Sequence, residues 1–256
     1  MLPILYQDAH LIAIDKPAGL LVHRSGLDAH ETRFAVQLLR GQIGRPVWPA
    51  HRLDKGTSGV LLFALDAATA SALGQAFETP GAIAKTYRAV VRGWPPANGV
   101  IDHPLTRLPD DARAAMGAAV AQPARTHFRV LEKLTLPLPY GDFAETRCAV
   151  LELQPETGRR HQLRRHCKHM AHPIIGDATH GKGPLNRALA DWLGVQRLWL
   201  HAESLGLTHP WSGQLLRIGA VPASEWRYWR RARTQAAVSR PASTNSYSSM
   251  LKAGGT

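Results

Sequence analysis

Cysteine is almost missing from this chain: Cys148 and Cys167 are the only two in 256 residues. That is too few for a disulfide framework or a four-thiolate zinc site. Acid is scarce as well, with 19 Asp and Glu against 31 Lys and Arg and a formal net charge of +12. Such an imbalance bears on partners rather than on fold. It points to a polyanion, nucleic acid first, because phosphate binding by Lys and Arg releases counterions. A membrane surface is the competing reading. No stretch reaches the ~18–20 apolar residues that a membrane span needs. The first residues, MLPILYQD, have neither a basic start nor a long apolar stretch, so no signal peptide is expected. Together these scarcities predict a soluble protein of a reducing compartment, the cytoplasm.

What is present is enough apolar material for a core. Hydrophobic residues make up 45% of the chain, sufficient for one large domain or two small ones. LIAIDKP (11–17) reads as a strand, and RFAVQLLRGQIG (33–44) as a helix ended by glycine. SGVLLFALD (58–66) reads as a strand covered on both faces, with Asp66 capping a helix over AATASALGQAFE. KTYRAVVRG (85–93), THFRVLEKL (126–134), TRCAVLELQP (146–155) and QLLRIGA (214–220) read as further strands, and RLWLHAESLGLTHP (197–210) as strand plus turn. The basic run 155–173 carries Leu163, Cys167 and Met170 at helical spacing. SEWRYWRRAR (224–233) reads as a basic, Trp-rich helix whose aromatics either stack on bases or, more commonly for such a stripe, face the core. Residues 104–124 read as an exposed excursion, and the polar segment 234–256 as a disordered tail. No repeat and no linker appears, so 1–233 is expected to form one unit. The class is α+β with a mixed or mostly antiparallel sheet.

HRLDKGTSGV (51–60) sets Asp54 between Arg52 and Lys55, just before the apolar strand. An aspartate in a Gly-Thr-Ser context usually caps a turn. Here, however, a carboxylate among cations would repel phosphate, so binding alone gives it no reason to exist. A cation within ~4–6 Å favours the charged form of a carboxylate. Tyr87 by itself reads as a packing residue of a strand. The histidines of the basic run could pair as zinc ligands, His161 with His166 or His169 with His172, but no HExxH pattern or cysteine pair accompanies them. Contact with phosphates suits that run better.

Taken together, HRLDKGTSGVLLFA (51–64), IAIDKPAGLLVH (12–23), KTYRAVVRG (85–93), TGRRHQLRRH (157–166), HPIIGD (172–177) and LHAESLGLTHP (200–210) resemble the motifs of the RluA-type pseudouridine synthases, in order. The resemblance runs from about residue 4 to 220 and is most similar to the branch that modifies uridine 65 of tRNA. The first motif begins at residue 4, so no N-terminal S4 RNA-binding domain is expected.

The resemblance implies the pseudouridine synthase fold, with a central basic cleft. It makes Asp54 the catalytic aspartate, Tyr87 the active-site tyrosine, Arg164 the arginine that pairs with Asp54, and Leu163 the apolar residue beside the tyrosine. Arg52, Arg160, His161, Arg165 and Lys168 are then expected to hold RNA. The reaction is an isomerisation, so neither cofactor nor metal is implied. The implied partner is RNA, tRNA before rRNA, with a monomeric protein and no protein partner. A non-catalytic RNA-binding protein and a zinc-dependent RNA hydrolase are the readings from other classes.

Overall fold

The computed structural model describes residues 1–23, 31–107 and 120–229. The expected boundary at 233/234 and the tail lie outside them. So do the middle of the 104–124 excursion and the last residues of the Trp-rich segment.

Most strands fall where the pattern of apolar residues places them. They are β1 (Ile4–Gln7), β2 (Leu11–Lys16), β3 (Trp48–Pro49), β4 (Ser58–Ala64), β5 (Ile83–Arg92), β6 (Asn98–Asp102), β7 (Leu105–Thr106), β8 (Ala121–Gln122), β9 (Arg125–Leu136), β10 (Thr146–Pro155), β11 (Leu200–Thr208) and β12 (Leu215–Gly219). Among the described residues four α-helices accompany them, α1 (Ala35–Ile43), α2 (Ala67–Glu78), α3 (Gln162–His169) and α4 (Gly183–Leu193), with a 3-10 turn at Ser224–Trp226. Every residue of β4 is buried, as its unbroken apolar run requires. Helix α1 ends at Gly44, which takes the left-handed conformation (φ 69°), and Asp66 caps α2 by accepting from the Thr69 N–H at 2.7 Å.

Helix α4 corresponds to no element in the sequence reading. Its signal is present nonetheless, since Leu185, Leu189 and Leu193 recur every four residues and are buried against the sheet. Within the Trp-rich segment, Trp226 and Trp229 face the core as expected. Both meet Trp199 edge to face, at ring distances of 5.4 and 5.2 Å.

The strands form a sheet ordered β1-β2-β4-β11-β5-β10-β9-β6, with β12 beside β11 and β3 beside β4. Among the described residues all its pairings are antiparallel except β4 with β11. That parallel pairing is short, His201 with Ser58 and Ala202 with Gly59. Beyond it the strands part: the far end of β4 pairs with β3, and the far end of β11 with β12. The close approach depends on Gly59, which has φ +108°; a Cβ there would lie 2.1 Å from the Ala202 carbonyl oxygen. The loop 50–57 joins β3 to β4 at this parting. The sequence reading therefore had the right neighbours for HRLDKG without the reason for its position.

Candidate active site

The loop carrying Asp54 is held from beneath. Thr57 N–H donates to the Asp54 carbonyl at 3.0 Å, which closes a turn. Gly19 N–H donates to the Lys55 carbonyl at 2.8 Å. Lys16 is fully buried, and its ammonium donates to the carbonyls of Pro17 (2.9 Å), Leu20 (2.8 Å) and Lys55 (3.3 Å). Burial brings the Lys16 pKa down to about 7, opposed by the charge of Asp54. The stretch Lys16–Gly19 is thus more than a turn after a strand: it stitches the first motif to the second.

Arg164 reaches Asp54 from α3. One guanidinium nitrogen, Nη1, donates to Asp54 Oδ2 at 2.9 Å. The other two, Nε and Nη2, grip both oxygens of Asp177 at 2.8 Å each. Asp177 also accepts the N–H groups of Thr179 and His180 at 2.9 Å, and its side chain is sealed from solvent. Burial works against the charge of Arg164, but Asp177 and then Asp54 outweigh it and hold its pKa above the ordinary value. Burial likewise opposes ionisation of Asp177, yet Arg164 and the two N–H groups keep its pKa below the usual range. A fork of this kind has a fixed plane, so Asp177 sets the direction in which Nη1 points. Among the described residues Asp54 Oδ1 accepts no hydrogen bond. His161 Nε2 lies 3.8 Å from it.

Helix α3 starts late because His161 adopts the left-handed conformation, φ 53°. Gln162 fixes that start: its carbonyl accepts from the Thr157 hydroxyl and the Arg159 N–H, and its amide donates to Arg125 O and Thr126 Oγ1. His161 Nδ1 lies 3.1 Å from His180 Nε2, and burial lowers the His161 pKa to about 4. The imidazole is therefore neutral at physiological pH.

A cavity of about 440 Å³ opens over this ensemble. Asp54, Arg164, Tyr87, Leu163, Arg52, Arg160 and His161 all line it. Tyr87 sits mid-strand in β5, opposite Ala202 and Leu153. Burial, and then Asp54, raise its pKa, so the phenol stays protonated. Two expected RNA contacts do not reach the cavity. Arg165 turns away and donates to the carbonyl and hydroxyl of Thr106 at 2.8 and 3.2 Å, tying α3 to the β7–β8 ribbon. Lys168 is exposed and does not line the cavity. Nor is the basic run uniformly a solvated face, since His166 is buried between Thr126 Oγ1 and the His103 carbonyl. Among the described residues no group of three or more His, Cys, Asp or Glu is arranged to hold a metal ion.

The RNA pseudouridylate synthase family matches residues 10–169. The chain belongs to that family. It is 49% identical over 229 residues to the tRNA pseudouridine synthase C of Vibrio cholerae, covering 89% of this chain and 93% of that one. Against the tRNA pseudouridine synthase C of Pasteurella multocida the identity is 48% over 227 residues, covering 88% and 93%. Among solved structures, human RNA pseudouridylate synthase domain containing 4 superposes with a TM-score of 0.66 at 28% identity, covering 91% of this chain and 93% of that one. The pseudouridine synthase fold and activity follow for this member of the family. Asp177 lies just past the matched span. It belongs to the HPIIGD motif, but neither spacing nor composition shows that its carboxylate turns inward.

Proposed function

We propose that this protein isomerises uridine to pseudouridine in tRNA, at position 65, with Asp54 as the catalytic carboxylate. The observation that carries the reading is the fork Asp54–Arg164–Asp177 set against Tyr87 in one cavity. Isomerisation breaks the N1–C1′ bond and joins C5 to C1′; the proton on C5 leaves and N1 gains one. Arg164 fixes one Asp54 oxygen and leaves Oδ1 directed at the substrate. Leu163 and Leu200 form an apolar wall that excludes water while the base is detached. Tyr87, protonated, is suited to stack on the uracil rather than to remove the C5 proton. A paired uridine is out of reach, so the nucleotide must be extruded, at a cost of a few kcal/mol. Arg52 and Arg160 at the rim offset that cost through phosphates.

The relatives in Vibrio and Pasteurella carry tRNA in their names, which places tRNA ahead of rRNA as substrate. The same reading has the protein acting in the cytoplasm as a monomer, which elution at the mass of one chain would check.

Release of tritium from C5-labelled uridine in tRNA, with the product mapped by carbodiimide labelling and primer extension, tests the assignment. Product at position 65 is expected; product confined to rRNA fragments would redirect it. Asp54→Asn is expected to lower turnover by at least ~10²–10⁴-fold while RNA affinity stays within about twofold. Retained turnover in that variant would remove Asp54 from the chemistry.

A further inference from the structure

Lys85 lies on β5 two residues before Tyr87, on the same face of the strand, and lines the same cavity. It is half-buried, yet among the described residues its ammonium has neither a hydrogen bond nor an ion-pair partner. Arg88, on the opposite face of that strand, is fully matched: Glu203 accepts from it twice, at 2.6 and 3.0 Å. His51, Phe77 and Tyr87 line the cavity with it. The His51 ring stacks on Phe77 with centroids 5.0 Å apart and accepts the Leu62 N–H on Nε2, so it is neutral. Asp54 is the one acid among the cavity's lining residues, and Arg164 already holds it.

A cation withdrawn from water with no counter-ion is costly for the free protein, and burial lowers the Lys85 pKa accordingly. A ligand that supplies the missing charge offsets that cost. The anion that RNA offers is the phosphodiester. Lys85 and Tyr87 are about 7 Å apart along the strand, a spacing comparable with that of a base from its own backbone.

We propose that Lys85 binds a phosphodiester flanking the target uridine, holding the extruded nucleotide with its base against Tyr87 and its ribose over Asp54. The proposal rests on the reading that this cavity takes the target uridine. It adds a phosphate subsite on β5, separate from Arg52 and Arg160, which line the same cavity.

The test uses the full chain, Lys85→Met and Lys85→Arg, with tRNA and with RNA in which each phosphate flanking the target is replaced in turn by an uncharged methylphosphonate. Lys85→Met is expected to unfold at the same temperature as the wild type or higher. It is expected to bind tRNA roughly tenfold more weakly, the loss of one charge-assisted contact. The log–log salt slope should shrink by about 0.7–0.9, and Lys85→Arg should restore most of the affinity. One methylphosphonate should weaken the wild type and leave Lys85→Met unchanged. Wild-type affinity and slope in Lys85→Met would overturn the proposal. So would a methylphosphonate penalty equal in both proteins, or a drop in unfolding temperature with the slope intact. Because binding is the deciding readout, a wild type that binds tRNA but releases no tritium would count against the proposed reaction and not against this contact.

Discussion

Arg164 serves two carboxylates with one planar group, and the buried one positions the other. Removing the charge of Asp177 tests that division. Asp177→Asn keeps the shape of the side chain but weakens its grip on Nε and Nη2. Turnover is expected to fall roughly a hundredfold, the cost of an ångström-scale misplacement. RNA affinity should stay within about twofold, because Asp177 is sealed beneath the cavity. Single-turnover rates beside binding titrations check this; equal losses in both would make Asp177 a folding residue only. At this scale the sequence was partly legible. Asp54, Tyr87 and Arg164 stand inside motifs, and the structure brings all three to one cavity. Lys16 and Asp177 stand inside motifs too, but their importance comes from burial, which a motif does not display. Arg165 is indistinguishable from Arg164 in composition, and only the turn of the helix sends one to Asp54 and the other to Thr106.

Among the elements, the short contact between β4 and β11 governs where the loop carrying Asp54 stands. Gly59→Ala places a methyl group against the Ala202 carbonyl in a backbone conformation that L-residues avoid. The variant is expected to lose several kcal/mol of stability, of the order seen when packing and backbone strain combine, and to lose turnover with it. Thermal unfolding followed by circular dichroism checks the first part; an unchanged midpoint would mean that the two strands separate without cost. The long strands were readable because alternation and unbroken apolar runs are local signals. The parting of the sheet was not, because it depends on residues 58–59 meeting residues 201–202. Helix α4 was within reach, since its three leucines carry the period, although Gly183 and Pro184 at its start read more naturally as a turn.

For the whole molecule, the net charge of +12 and the rim arginines make binding a salt-dependent event. Each phosphate neutralised contributes about 0.7–0.9 to the log–log slope. Arg52 is exposed at the cavity, so Arg52→Ala should reduce the slope by about that amount. A filter-binding series across ionic strength measures it, and an unchanged slope would place the RNA elsewhere. Composition made this electrostatic character plain. Which cations face the cavity became visible only in three dimensions. Scarcity of cysteine has its own consequence. Cys148 and Cys167 have no exposed surface, and burial pushes both thiols up to about 12. Alkylating reagents therefore meet an inert protein until it opens. Cys167 is on the buried face of α3, and Cys148 packs against the leucines of α4. The pair forms a two-channel clock, one sulfur timing the lifting of α3 and the other the loosening of α4.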